Sequence, residues 1–270
     1  MKNVWTSELL SSISCVSHAF FGRKFDASGS NFQAISSHNR APHESTHEFN
    51  CSKFIGDDLN QVLKNLDAVK NFLGAKKLVT LKQVHGNRCI IADESTECDL
   101  EGDALVTKTE GIAIGIATAD CTPVVFADPV AKIVGVAHAG WKGAAAGVIQ
   151  STIETMLFLG SESENIFACL GPGISMDNYE VSPDFKENFE RNIKETPHLE
   201  KCFLECEGKF YFDIPEFCRQ TLLTRGIPND NIDRIKIDTY DNIENFFSYR
   251  YERENPGCAI GRFMSAVVLK

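Results

Sequence analysis

Cys121 and two histidines, His85 and His138, stand where apolar, strand-like runs of the sequence end. Cys121 lies in TADCTPVVF, where polar residues follow an apolar run and Pro123 interrupts the next ladder position. His138 lies in VAHAGWKG, and His85 in KQVHGN follows another β-prone run. Imidazole and thiolate ligands suit zinc or copper, and three protein ligands leave a fourth position open for water or substrate. The pattern therefore predicts a catalytic metal site.

Two other interpretations of the same residues remain open. Apolar strands commonly end in ordinary core residues, and no compact CxxC or HExxH motif is present to mark a metal site by spacing alone. A metal-free enzyme could also use Cys121 as its nucleophile and His138 as the base. The spacing of seventeen residues between these two is compatible with neighbouring strands in either case.

The run GWKG at 140–143 is predicted to connect a strand to a helix. Unpaired N–H groups at such a turn favour an anion, and Lys142 between Gly140 and Gly143 adds positive charge, so a phosphate site is one interpretation. The alternative is an ordinary tight connection in which Trp141 plugs the core and Lys142 is solvated.

Two carboxylates lie close in sequence to the proposed ligands. Asp103 in GDALVT and Asp120 beside Cys121 could each donate a proton or orient a metal ligand, and each could equally cap a turn. We count Asp120 among the candidate catalytic residues.

The elements that must position these residues are short and closely spaced. Apolar positions over 59–73 recur at helical spacing and Gly74 ends them, which predicts a helix. β-prone runs follow, each bounded by Gly, Pro or Asp, and their density indicates a large sheet. These runs are KLVTLKQVHG, CIIADE, GDALVTK, GIAIGIATADC, PVVFADP and KIVGVAHAG.

The second half of the chain continues the alternation. Helices are predicted over 143–159, 183–193 and 215–224, and IFACLGPGI is predicted to be a buried strand. A strand pair is expected at 202–212 and a final pair in FFSYR and GRFMSAVVL. Since no internal repeat or Pro-rich linker interrupts the pattern, we expect a single α/β domain over 1–270, with an irregular segment at 26–50.

Composition narrows the class of protein. A chain of 270 residues with 43% hydrophobic residues can fill a substantial core, and a net charge of -10 disfavours nucleic acid and anionic membranes as partners. Ten cysteines without an apolar leader favour reduced thiols in a cytoplasmic protein, and no apolar run is long enough to span a bilayer. We expect the other histidines on the surface or in loops: His18, His38, His43, His47 and His198.

Several motifs, taken together, resemble the laccase-domain family. They are QVHG, GDALVT, ADCTPVVFADP, VAHAGWKG, GPGI with YEV, and the terminal FFSYR and GRFMSAVVL, and they occur in order from about Leu59 to Leu269. Members of this family have been labelled polyphenol oxidases and are now regarded as purine nucleoside phosphorylases. The resemblance implies a layered α/β sandwich similar to bacterial toxin-type cysteine deamidases.

The resemblance also implies a metal site and an activity. It gives His85, Cys121 and His138 as ligands of a metal, normally zinc, with copper as the alternative. It implies phosphorolysis of adenosine, inosine, guanosine and methylthioadenosine, with adenosine deamination as a second activity of the same pocket. Purine nucleosides and phosphate are then the expected partners, and we expect a monomer or a weak homo-oligomer.

Two arginines are candidate substrate contacts within this resemblance. Arg250 ends FFSYR and joins Lys142 as an anion candidate, and Arg23 could supply a substrate-binding guanidinium. The segment HAFFGRKFDASGSNFQ around Arg23 departs from the more glycine-rich family pattern, and Leu66 stands where an Arg is usual.

Three other functions would use the same residues. A copper polyphenol oxidase would use the same ligand types, although a multicopper site needs many more clustered histidines than the seven present. A metal-free cysteine hydrolase would use Cys121 and His138. A binding module would hold a nucleoside without turning it over.

Overall fold

The strands of the molecule are short and separated by tight turns, as the Gly, Pro and Asp residues between the β-prone runs predict. The computed structural model describes residues 3–25, 48–193, 198–258 and 260–270, so the predicted irregular segment lies outside the described residues except for 48–50. In chain order the strands are β1 (Val4–Trp5), β2 (Val16–Phe21), β3 (Lys77–Val79), β4 (Leu81–Lys82), β5 (Cys89–Ile91), β6 (Leu100–Glu101), β7 (Ala104–Thr107), β8 (Ile112–Thr118), β9 (Thr122–Asp128), β10 (Ile133–Ala139), β11 (Phe167–Leu170), β12 (Glu180–Val181), β13 (Phe203–Cys206), β14 (Lys209–Phe212), β15 (Ile232–Arg234) and β16 (Phe263–Leu269).

Eleven of these strands form two large mixed sheets. One has the order β1-β2-β16-β8-β3 and the other the order β15-β11-β9-β10-β7-β5. Most neighbours in them are antiparallel, but β3 is parallel to β8, β5 to β7, and β11 to β15. The other five strands form a three-stranded sheet, β12-β14-β13, and a two-stranded sheet, β4-β6. The predicted mixed α/β class is confirmed, while the strands divide among several sheets where the sequence suggested one large sheet.

The inner core lies between the two sheets. Side chains alternate along each strand, so Val134 and Val136 of β10 meet Ile114 of β8 and Val267 of β16 in this layer. Strands buried on both faces need a second apolar layer outside. Each sheet therefore requires helices on its outer face.

The helices supply those outer layers. They are α1 (Glu8–Ser11), α2 (Leu59–Phe72), α3 (Trp141–Ala146), α4 (Val148–Phe158), α5 (Phe185–Asn192), α6 (Ile214–Thr224) and α7 (Tyr249–Glu254). From α2, Val62 and Val69 pack on Ala266 of the five-stranded sheet. From α4, Ile149 and Ile153 pack on the outer face of the six-stranded sheet. The result is a four-layered sandwich, helix on sheet on sheet on helix.

The helices predicted over 59–73, 183–193 and 215–224 are confirmed, α1 was not predicted, and two other predictions differ from the structure. The helix predicted over 143–159 is two helices, because Gly147 adopts φ of 92° between α3 and α4, a conformation that favours glycine. The predicted strand FFSYR is wrong. Ser248 instead caps α7 by accepting from the Tyr251 N–H. The other strand of the predicted pair, GRFMSAVVL, forms β16, which pairs with β2 and β8 and not with FFSYR.

His18 is also not on the surface. It lies in β2 with 4% exposure, and its Nε2 accepts from the Ser7 N–H at 2.9 Å. Burial lowers the pKa of His18 to about 4, against the opposing charge of Asp233, so the ring is a neutral part of the packing. His198 is exposed as predicted, and His38, His43 and His47 lie outside the described residues.

No helix in the described ranges combines the length and apolar character needed to cross a bilayer. All ten cysteines lie within those ranges, and all are free thiols, as predicted.

Candidate metal centre

The β9–β10 ladder brings Cys121 and His138 together. Its register pairs His138 with Pro123 and Ala139 with Thr122, so Cys121, directly before β9, lies beside the end of β10. Antiparallel neighbours joined by a short turn place the start of one strand against the end of the next. The spacing of these two residues thus arises from a single hairpin.

His85 reaches the same place from a loop after β4. Its backbone has φ of 59°, uncommon for a residue with a side chain. Gln83 pins the loop to β8, because its side-chain amide donates to the Ala117 carbonyl and accepts from the Ala117 N–H, both at 2.8 Å. On the other side, the N–H groups of His85 and Gly86 donate to the Asp103 carboxylate at 2.9 and 2.7 Å.

The three side chains form a compact group, here called the His–Cys–His cluster. The rings of His85 and His138 lie 4.7 Å apart between centroids, and Cys121 Sγ lies 4.0 Å from His85 Nε2. One ligand atom from each residue falls within 4.8 Å of the others. Two imidazole nitrogens and a sulfur are a donor set for zinc or copper, so these residues fit the metal that the sequence predicts.

Charges in the cluster favour a thiolate. Burial alone would raise the pKa of Cys121, but the neighbouring His138 and His85 rings outweigh burial and lower it. Burial alone would lower the pKa of His138, but Cys121 and Asp103 outweigh burial and raise it. A thiolate is the form of cysteine that both binds metals and acts as a nucleophile.

Glycines make the cluster possible by keeping the neighbouring turn close. A Cβ placed on Gly140 would lie 2.9 Å from both Cys121 Sγ and His85 Cδ2, and one on Gly143 would lie 2.8 Å from the Gly86 carbonyl oxygen. Any side chain at either position would push the turn away. The glycines of GWKG therefore pack the ligands tightly against their support.

A cavity of about 400 Å³, here called the pocket, opens onto the cluster. All three cluster residues line it, together with Arg262, Lys53, Phe54 and Tyr249. Phe54 is 51% exposed and Tyr249 is 48% exposed, so both offer ring surface to a ligand. This volume is in the range of small-molecule sites.

Comparison with known proteins now places the chain. The family model described as multi-copper polyphenol oxidoreductase laccase matches residues 18–270. The chain belongs to this laccase family. It is 30% identical to a purine nucleoside phosphorylase of Bacteroides thetaiotaomicron, covering 99% of this chain and 97% of that protein. It is 34% identical to adenosine deaminase RL5 from an unknown prokaryotic organism, covering 68% and 74%.

A solved structure supports the fold. The hypothetical protein YfiH of Bacillus licheniformis superposes with a TM-score of 0.79 at 29% identity, covering 94% of this chain and 93% of that one. The family members named as phosphorylases act on purine nucleosides, so the comparison agrees with the resemblance drawn from the motifs.

Lys142 of this laccase-family chain does not line the pocket. Its Nζ lies 5.5 Å from the centroid of the Trp141 ring, and the side chain is exposed. Trp141 itself packs against Phe185, with 5.1 Å between ring centroids. This arrangement is that of the ordinary connection, in which Trp141 plugs the core.

Asp120 is directed away from the pocket. Its carboxylate accepts from Thr239 Oγ1 at 2.7 Å and from the Arg250 N–H at 2.6 Å, and it is 8% exposed. Burial raises its pKa, and the same hydrogen bonds oppose that rise. The structure therefore gives Asp120 a supporting position under the start of α7, and its predicted catalytic role stays a prediction.

The two predicted arginines are engaged outside the pocket. Arg250 donates to the Glu180 carbonyl at 2.9 Å and lies over the Tyr179 ring. Arg23 is paired with Glu48 and donates to the Ile243 carbonyl at 2.6 Å. Neither side chain lines the pocket.

Sequence patterns did not identify four lining residues whose side chains suit a nucleoside or phosphate: Arg262, Tyr249, Lys53 and Phe54. Arg262 and Tyr249 lie in the motifs GRFMSAVVL and FFSYR, where a signal was present, but FFSYR also holds Arg250, which the prediction chose. Lys53 and Phe54 follow the irregular segment and belong to no helix or strand. No periodicity could have assigned them to a site.

Proposed function

We propose that this chain is a metal-dependent purine nucleoside phosphorylase, which uses phosphate to cleave the bond between a purine and its ribose. The observation that carries the proposal is the His–Cys–His cluster at a pocket of nucleoside size, in a chain similar over its whole length to a protein named for this activity. We further propose zinc as the metal. Adenosine, inosine, guanosine and methylthioadenosine are the proposed substrates.

His85, Cys121 and His138 would hold the zinc. When bound there, zinc supplies a Lewis acid that polarises an oxygen of the reacting group. A sulfur and two imidazole nitrogens within 4.8 Å of one another are a donor set that binds a divalent ion such as zinc. The same centre supports adenosine deamination as a proposed second activity, with water in place of phosphate.

Phosphate requires a cation in the same pocket, and Arg262 is the better candidate there. Lys53 already donates to both carboxylate oxygens of Asp99, at 3.0 and 2.8 Å. Arg262 has a longer ion pair with Glu252 at 3.6 Å, and it lies over the Tyr249 ring and donates from Nη1 to the Gly261 carbonyl, so its other N–H groups remain for a ligand. Its planar guanidinium can bind two phosphate oxygens at once. We therefore assign phosphate binding to Arg262 instead of Lys142.

The purine would stack on the exposed rings at the pocket. Phe54 and Tyr249 both line it with about half of their surface exposed. Aromatic faces bind any purine without strong preference for its substituents. This is consistent with the proposed activity towards several nucleosides.

The experiment that tests the proposal is incubation of the purified protein with adenosine, with and without phosphate, followed by identification of the products. Phosphorolysis gives adenine and ribose 1-phosphate only when phosphate is present. Deamination gives inosine and ammonia without phosphate. Binding of adenosine with neither product would favour the binding module, and oxygen consumption with a phenol would favour the copper oxidase.

A further inference from the structure

Asp103 is the most completely enclosed carboxylate beside the cluster. It is 0% exposed and directly precedes β7. Its own backbone is held on both sides, with the N–H donating to the Arg88 carbonyl at 3.0 Å and the carbonyl accepting from the His138 N–H at 2.8 Å. The side chain therefore occupies a fixed position between the His85 loop and the end of β10.

On one side, three successive N–H groups surround this carboxylate. Oδ1 accepts from His85 at 2.9 Å, and Oδ2 accepts from Gly86 at 2.7 Å and from Val84 at 3.3 Å. Consecutive N–H groups that converge in this way form an anion-binding concavity. Because His85 has a left-handed backbone, these bonds offset the cost of the conformation that aims its ring at the cluster.

On the other side, the carboxylate fixes the second histidine. Asp103 Oδ1 lies 2.9 Å from His138 Nδ1. A carboxylate can only accept, so Nδ1 carries a hydrogen and Nε2 is the ring nitrogen left to bond a metal.

We propose that Asp103 is a positioning residue that sets both histidine ligands with one carboxylate, so that the cluster is formed before the metal arrives. The inference rests on the proposed metal centre of the phosphorylase. Partners that orient metal-binding histidines typically affect metal affinity by about 10-fold to 100-fold. Because Asp103 holds the ring of one ligand and the backbone of the other, its loss should weaken both bonds to the metal.

The experiment compares the zinc affinity of the metal-free wild-type chain with that of Asp103→Asn, by competition with a chromophoric chelator. The matched control is Asp128→Asn, since Asp128 is also 0% exposed and accepts from two N–H groups, at the far end of β9 from Cys121. We expect the zinc dissociation constant to rise about 10-fold to 100-fold in Asp103→Asn and to change less than about twofold in Asp128→Asn. A change below about threefold in a folded Asp103→Asn protein overturns the inference.

A second measurement on the wild-type chain stands even if Asp103→Asn does not fold. Nitrogen NMR of the histidine side chains should find a hydrogen on His138 Nδ1 both before and after zinc is added, with zinc on Nε2. Loss of the hydrogen from Nδ1, or zinc on Nδ1, overturns the inference. Neither measurement uses a nucleoside, so a wild-type chain that binds zinc as described but releases no adenine contradicts the proposed function alone.

Discussion

The pocket and the GWKG turn both border the His–Cys–His cluster, yet they offer it different groups. The pocket presents the side chains of Arg262, Phe54 and Tyr249. The turn presents glycine backbone, because Gly140 is packed against Cys121 and His85 while the charged end of Lys142 lies over Trp141. Lys142, four residues after His138 in sequence, therefore lies outside the pocket, while Arg262, which is distant in sequence, lines it.

The two surfaces differ because different elements of the fold form them. The turn begins α3, whose tight packing needs small residues close to the ligands and leaves no room for a substrate. The pocket lies where residues 51–55, the start of α7 and the start of β16 come together. Substrate contacts are expected on the second surface and support on the first.

Loss of a cluster ligand should have the largest effect, because both surfaces act through the cluster. We expect Cys121→Ala and His138→Ala each to abolish detectable phosphorolysis and to lower bound zinc to a small fraction of wild type, measured by metal analysis of folded protein. Cys15→Ala, at another half-buried cysteine, is the control and should keep full activity. Wild-type turnover in a soluble Cys121→Ala protein would remove the cluster from the mechanism.

Arg262→Ala should have the next largest effect. A charge-assisted bond to phosphate is typically worth about 1.5–3 kcal/mol, so the Michaelis constant for phosphate should rise roughly tenfold to a hundredfold. The constant for adenosine should change much less, and Arg262→Lys should give an intermediate value because it keeps the charge without the planar fork. Equal rises for both substrates would indicate collapse of the pocket instead of a lost phosphate contact.

Phe54→Ala should have a smaller effect than Arg262→Ala, and it should raise the Michaelis constant for adenosine more than that for phosphate. Stacking of a base on an aromatic ring is worth about 1–3 kcal/mol, and the lower end applies to a half-exposed ring, so the Michaelis constant for adenosine should rise roughly fivefold to tenfold. The phosphate constant should be nearly unchanged. Phe158→Ala is the control, since Phe158 is 81% exposed and does not line the pocket. Identical kinetics for the two variants would argue against stacking on Phe54.

Lys142→Ala should have the smallest effect of the series. Its position over Trp141, outside the pocket, predicts less than about a twofold change in either Michaelis constant, as for an ordinary solvated lysine. An anion site at the GWKG turn would instead require a tenfold to hundredfold loss for phosphate. Steady-state kinetics with varied phosphate separates these outcomes, and the larger loss would reverse the assignment of the two surfaces.

The Cys121–His138 pair and the helix over 59–73 could be predicted from the sequence because each depends on residues close together in the chain. Cys121 and His138 belong to one hairpin, and the helix over 59–73 depends on its own apolar spacing, so short-range patterns determine both. The pocket could not be predicted in this way. Phe54 and Arg262 are far apart in sequence, and only the packing of the two sheets brings them to one cavity. His18 was placed on the surface because the pattern of β2 does not reveal that both faces of that strand are covered.

The most direct test of the metal-dependent mechanism is the release of adenine from adenosine and phosphate while zinc is titrated into metal-free protein. That mechanism predicts no adenine before zinc is added, followed by a linear rise that ends at about one equivalent of zinc per chain, as expected for a single three-ligand site. Full adenine release from the metal-free protein would contradict it, because His85, Cys121 and His138 would then act without a metal.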